Sequence, residues 1–146
     1  MTKKAFYTWS QIEGMTQDIL RQTRDKQFDA VVGLTRGGLT PAVLVSQYLD
    51  IPMHTLKISL RDHQEQESLA VLTKLSNQKV LVIDDINDTG ATINYIKQNW
   101  TLNNLTYAVL INNEASDADV DYSSVDINKR EDDVWIVFPW EDWWQN

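Results

Sequence analysis

Asp84, Asp85 and Asp88 place three carboxylates close together, and Thr89, Gly90, Ala91 and Thr92 follow at once. Ahead of them runs Val80-Leu81-Val82-Ile83, apolar throughout. Such a run is a buried strand that delivers the acids to its carboxyl end, and the hydroxyl-rich turn then opens onto a helical pattern. Carboxylates in that place can address sugar hydroxyls or a metal ion. The backbone N–H groups of a small turn at a helix N-terminus can hold a phosphate. Together they describe a site for a phosphorylated sugar. An ordinary Asp-rich turn before a capped helix would need neither Asp84 nor Asp85.

Leu34-Thr35-Arg36-Gly37-Gly38 supplies a second anion-binding pattern. Paired glycines let backbone N–H groups approach an anion closely, and Arg36 adds a charge-assisted donor. Both loops need strands that end beside one another. Ser10-Gln11-Ile12-Glu13 has the form of a capping box, with Ile12, Met15, Ile19 and Leu20 at helical spacing, so a helix is expected to about Asp25. Residues 28–34 form a buried strand. Thr40 as N-cap and Pro41 at the first helical position then open a helix that ends near Asp50. Strands are expected at residues 53–59, 79–84 and 107–111, with a helix over 91–100. Residues 60–78 are polar and mixed in pattern. Two short β-prone pieces, 124–127 and 134–138, lead into an acidic, aromatic tail at 139–146. Strands alternating with helices imply a parallel α/β sheet covered on both faces, with ligands at the strands' carboxyl ends, where both loops fall.

At 146 residues the chain is expected to be a single domain with room for a sizeable core. No apolar run approaches the roughly 20 residues of a membrane span, and the opening residues lack the apolar stretch of a signal peptide. With no cysteine the chain has neither disulfides nor thiol chemistry, which fits a cytoplasmic location. The formal net charge of −8 disfavours nucleic acid and anionic membranes as partners, because the long-range field repels both. The same field makes local cations valuable to any polyanionic substrate, so the few arginines near the two loops gain weight.

The window from Val80 to Thr92 resembles the PRPP-binding motif of the type I phosphoribosyltransferases: four apolar residues, two acids, two variable positions, Asp, Thr, Gly, a small residue and Thr. Every defining position is filled. The loop at Thr35, Arg36 and Gly37 is similar to that family's pyrophosphate loop, in which the bond before the basic residue can be a non-proline cis peptide. Asp133-Val134-Trp135-Ile136-Val137-Phe138-Pro139-Trp140 resembles the short base-covering hood of the bacterial xanthine-guanine branch. With small gaps the match runs from Thr8-Trp9 to Trp140. The resemblance implies the type I phosphoribosyltransferase fold, with a central mostly parallel sheet flanked by helices and a small C-terminal hood from about 113 to 146.

It also implies roles. Arg36 and Gly37, with Thr35, would hold pyrophosphate. Asp84 and Asp85 would hold the ribose hydroxyls, directly or through a Mg²⁺ carried by the pyrophosphate. Asp88 would contact N7 of the base as general base or proton stabiliser. The loop Asp88, Thr89, Gly90, Ala91, Thr92 would wrap the 5′-phosphate. The family's mobile loop falls on residues 58–67, where the commonest 6-oxopurine enzymes carry Ser-Tyr and this chain has Leu60-Arg61; Arg61 is expected to add a cation for the pyrophosphate. Trp135 and Ile136 would bracket the base, while Trp140, Trp143 and Trp144 are assigned to packing or to a dimer surface.

One departure concerns the base. The family usually has a lysine after its fourth strand that donates to the purine 6-oxo group, and here Asn113 stands there, a shorter and uncharged donor. The leading expectation is transfer of 5-phosphoribosyl from PRPP to a 6-oxopurine with Mg²⁺, in a homodimer or tetramer of the kind usual in the family. A transferase for another base and a non-catalytic PRPP or nucleotide sensor are the alternatives. A dehydrogenase of the dinucleotide-binding class is excluded by the lack of Gly-x-Gly-x-x-Gly after the first strand.

Overall fold

Runs of branched aliphatic residues alternate with helical segments along the chain, and a computed structural model, which describes residues 2–58 and 69–145, stacks those runs side by side. The elements are β1 (Lys3–Phe6), α1 (Trp9–Gln22), β2 (Ala30–Leu34), α2 (Leu39–Leu49), β3 (Met53–Leu56), α3 (Ala70–Thr73), β4 (Val80–Asn87), α4 (Ala91–Asn99), β5 (Leu105–Asn113), β6 (Tyr122–Ile127) and β7 (Val134–Val137), with a 3-10 turn at Trp143–Gln145. Leu60 and Arg61, and with them residues 59–67 of the expected mobile loop, lie outside the described residues.

The main sheet has the order β3-β2-β4-β5-β6, and each of its neighbouring pairs is parallel. Alternation along each strand sorts the core into two layers. Val31, Leu81, Ile83 and Leu110 face α1 and α2, packing on Ile12, Met15, Ile19 and Val45. Ala30, Val32, Val80, Val82 and Val109 face the other side, against Leu72, Ile93 and Ile96 of α3 and α4. A second, two-stranded sheet joins the two ends of the chain, β1 running parallel to β7. Phe138 and Ile136 at its C-terminal side join the α1–α2 layer, so this ribbon sits over the same face as those helices.

Several boundaries differ from the sequence expectation for identifiable reasons. The capping box of α1 is Thr8–Gln11, not Ser10–Glu13: the Thr8 hydroxyl accepts from the Gln11 N–H at 3.1 Å, and the Gln11 side chain accepts from the Thr8 N–H at 2.8 Å. Tyr7 still donates its N–H to the Val137 carbonyl, so β1 hands the chain to the helix directly after that residue. The N-cap of α2 is Gly38, not Thr40, because Gly38 and Leu39 donate back to Leu34 and Arg36 and tighten the turn two residues early. Strand β4 continues past Asp84 to Asn87, since β5 also extends and pairs Ile86 with Ile111 and Asn87 with Asn112. No helix is long and apolar enough to cross a membrane among the described residues.

The two candidate boxes separate cleanly by mutation. Thr8→Ala should cost about 1 kcal/mol of unfolding free energy, whereas Ser10→Ala should stay within about 0.5 kcal/mol of the parent. Chemical denaturation of both variants measures the difference, and equal losses would place the cap at the wrong residue.

Candidate active site

Alternation on β4 sends its two last acids in different directions. Asp85 continues the Leu81–Ile83 row toward α2 and the β1–β7 ribbon, and Asp84 continues the Val80–Val82 row. Gly37 lies directly over Asp85: a Cβ built on it would overlap the carboxylate. A Cβ on Gly38 would collide with the carbonyls of Ile83 and Leu34. The glycine pair is therefore what lets the β2–α2 loop close down on the end of β4. The Thr35–Arg36 peptide in this loop is cis.

The two carboxylates are bound largely by backbone. The Asp85 N–H donates to Asp84 at 2.9 Å and the Ile86 N–H to Asp85 at 2.8 Å. Among the described residues neither acid pairs with a lysine or arginine. Burial raises the Asp84 carboxyl well above the ordinary carboxylate value, and the neighbouring Asp85 charge adds to the effect. Burial also raises Asp85, with the Glu141 charge contributing in the same direction. Two half-hidden acids lacking a protein cation suit an external one that brings most of its own oxygen ligands, which is how Mg²⁺ binds when phosphate and water complete its shell.

The turn after β4 is pinned from behind. Gly90 has φ +92°, and a Cβ there would meet the Ala118 N at 2.6 Å. The Asp117 N–H donates to the Thr89 carbonyl at 2.9 Å, and the Thr89 hydroxyl accepts from the Ala91 N–H at 3.2 Å. Asn87, 2% exposed, ties the same region together by donating toward Asn112, Ser116 and Ala118 at 2.8–2.9 Å. Sequence reasoning missed Asn87. Its signal was a polar residue directly after Ile86 at a strand's end.

Two cavities adjoin Asp85, and Asp84, Thr89, Gly90, Ala91 and Thr92 line neither of them. A cleft of about 680 Å³ is lined by Arg36, Gly37, Thr40, Asp85, Trp140 and Glu141 among others. A smaller cavity of about 190 Å³ is lined by Asp85, Ile86, Asp88, Lys129, Trp135, Ile136, Phe138 and Glu141. Asp85 and Glu141 belong to both. The structure thus brings Arg36, Gly37, Asp85, Asp88, Trp135 and Ile136 around one continuous opening. Trp140 stacks on Phe138 at 4.9 Å, whereas Trp143 and Trp144 are exposed.

Asn113 goes elsewhere. It is buried, its Nδ2 donates to the Asp88 carbonyl at 2.8 Å, and its Oδ1 accepts from the N–H groups of Lys129 and Ala115. The amide is used within the fold and does not line the small cavity. Lys129 does, a residue the sequence analysis had not singled out; its Nζ is 2.9 Å from Asp88 Oδ1.

Comparison with known proteins follows this geometry. A family model described as the phosphoribosyl transferase domain matches residues 4–143. The xanthine-guanine phosphoribosyltransferase of Idiomarina loihiensis is 27% identical over 146 aligned positions, spanning 95% of this chain and 88% of that protein. The protein of the same name from Chromohalobacter salexigens is 27% identical over 137 positions, spanning 92% of this chain and 82% of that one. Among solved structures, the purine phosphoribosyltransferase of Pyrococcus horikoshii is similar at a TM-score of 0.78 and 26% identity, with 95% of each chain covered.

The raised carboxyl of Asp84 has a signed consequence for stability. Above the ordinary value of 3.8 the unfolded chain loses this proton while the folded chain still holds it, so the folded state is progressively disfavoured as pH rises through that window. Asp84→Asn removes the penalty and keeps an acceptor for the Asp85 N–H. Its melting temperature should exceed that of the parent at neutral pH, and the gain should shrink as pH is lowered toward 3.8. Thermal unfolding at several pH values reads this directly, and a variant less stable at neutral pH would contradict it.

Proposed function

The chain belongs to the phosphoribosyl transferase family, and we propose that it is a transferase of the purine kind, moving the 5-phosphoribosyl group of PRPP to guanine, xanthine or hypoxanthine and releasing pyrophosphate. What carries the proposal is one convergence: the Arg36–Gly37 loop lines one cavity, Asp88 lines the other, and Asp85 lines both. Residues 1–146 are taken as one domain whose hood begins near 113.

In this proposal Thr35, Arg36 and Gly37 hold the pyrophosphate, and Arg61 is assigned there by resemblance. Asp84 and Asp85 take the ribose hydroxyls. Mg²⁺, held by those two carboxylates and by phosphate oxygens, would offset charge on the leaving pyrophosphate. The backbone N–H groups of Gly90, Ala91 and Thr92, with the Thr89 and Thr92 hydroxyls, receive the 5′-phosphate at the start of α4. Trp135 and Ile136 bound the base, and the small cavity suits one heterocycle better than a whole nucleotide. As the bond from C1 to the leaving oxygen stretches, C1 gains cation character and the incoming nitrogen of the base takes its place. Asp88, lining the base cavity, accepts or stabilises the proton that the base gives up. Fixed carboxylates and amides aimed at the developing charges need no reorganisation during the step.

A homodimer or tetramer and a cytoplasmic location belong to the same proposal, with the exposed Trp143 and Trp144 as an aromatic surface for self-association.

Pyrophosphate release from PRPP and Mg²⁺, measured separately with guanine, xanthine, hypoxanthine, adenine and uracil, tests the reaction. Release is expected with a 6-oxopurine; silence with every base, while PRPP or a nucleotide still binds, would favour a sensor. Asp88→Asn should lower turnover by about 10²- to 10⁴-fold with little change in the KM for PRPP. Comparable losses in both quantities would remove Asp88 from the proton-handling role.

A further inference from the structure

Lys129 sits on the connection between β6 and β7, and its side chain is only 17% exposed. An ammonium so withdrawn from water needs a partner. It has Asp88 Oδ1 at 2.9 Å and the Trp135 ring, whose centroid lies 5.6 Å from Nζ. The backbone that carries it is also fixed. Asn113 accepts from the Lys129 N–H at 3.0 Å and donates to the Asp88 carbonyl at 2.8 Å, so one buried amide brackets both members of the ion pair.

The result is an acceptor and a donor side by side on the wall of the base cavity. A 6-oxopurine presents its O6 acceptor next to N7, and in the free base N7 can carry the proton. Asp88 matches an N7–H and Lys129 matches O6. A 6-aminopurine would instead turn N–H donors toward an ammonium that has no acceptor to offer.

We propose that Lys129 reads the oxo group of the base and sets a preference for oxo over amino purines, entering the cavity from the β6–β7 connection in place of a lysine after β5. Asn113, at the position where the family's lysine was expected, is the bracket that makes this substitution possible. The inference rests on the purine phosphoribosyltransferase assignment made above.

Steady-state kinetics of the parent, Lys129→Gln and Lys129→Arg with hypoxanthine and with adenine, each at varied PRPP, tests it. Lys129→Gln should raise the KM for hypoxanthine by about 10- to 100-fold, the worth of a charge-assisted hydrogen bond. The KM for PRPP should hold, and the hypoxanthine-to-adenine ratio of kcat/KM should fall. Lys129→Arg, which keeps the charge and the donors, should retain the oxo preference. A parent that uses hypoxanthine, beside a Lys129→Gln variant with unchanged base KM or equal losses for both bases, would overturn the role of Lys129 alone. A parent silent with every base would overturn the assignment beneath it, and this inference with it.

Discussion

The constraint on which the site depends is the desolvation of two adjacent, half-buried carboxylates at the carboxyl end of the central strand. Asp84 and Asp85 sit where β4 emerges between the two core layers, with backbone N–H groups as partners and no lysine or arginine paired to them among the described residues. Desolvation makes that arrangement unfavourable for the fold by itself, and the proposed cation and sugar hydroxyls would offset the cost. Everything around the acids follows from keeping them there. Gly37 and Gly38 exist as glycines because side chains would strike the Asp85 carboxylate and the carbonyls of β2 and β4. Both faces of the sheet must be covered, since a strand end exposed to water would relax the very field that sets the carboxyls' character.

A second set of constraints is carried by buried amides. Asn87 and Asn113 are two of the few buried polar side chains, and each spends its hydrogen bonds on backbone or neighbouring side chains around the turn after β4. Asn87 ties the end of β4 to the β5–β6 connection, and Asn113 ties Asp88 to the β6–β7 connection. Losing either would leave buried donors or acceptors unmet, a cost of about 1–3 kcal/mol apiece. Such networks position a loop more sharply than apolar packing does, because hydrogen bonds are directional and methyl groups are not.

A net charge of −8 is compatible with the proposed anionic ligand. The repulsion is a long-range, screened effect, whereas Arg36 and Lys129, which line the two cavities, would act on a ligand at contact distance. Local donors would therefore decide which anion binds under the proposed function.

The local devices of the protein were legible in its sequence. The apolar run ending in Asp84 and Asp85, the turn from Asp88 to Thr92 and the glycine pair after Thr35-Arg36 each declare themselves through residue type and spacing within a dozen positions, whereas the Trp135–Ile136 segment stood out only by family resemblance. So did the alternation of strands and helices, because one-sided burial imposes a period on each element. Boundaries were less secure: the cap at Thr8 is chosen by the pairing of β1 with β7, strands more than a hundred residues apart. The lysine at the smaller cavity was invisible for the same reason. Position along the chain pointed to Asn113, but what lines a cavity is set by which connections the sheet brings together, and the β6–β7 connection reaches Asp88 from 41 residues downstream, counting from 88 to 129. Sequence alone determined the chemistry of each short segment, since that chemistry is local. Only the tertiary structure decided which distant side chain completes it, because a contact between remote residues depends on the path of everything folded between them.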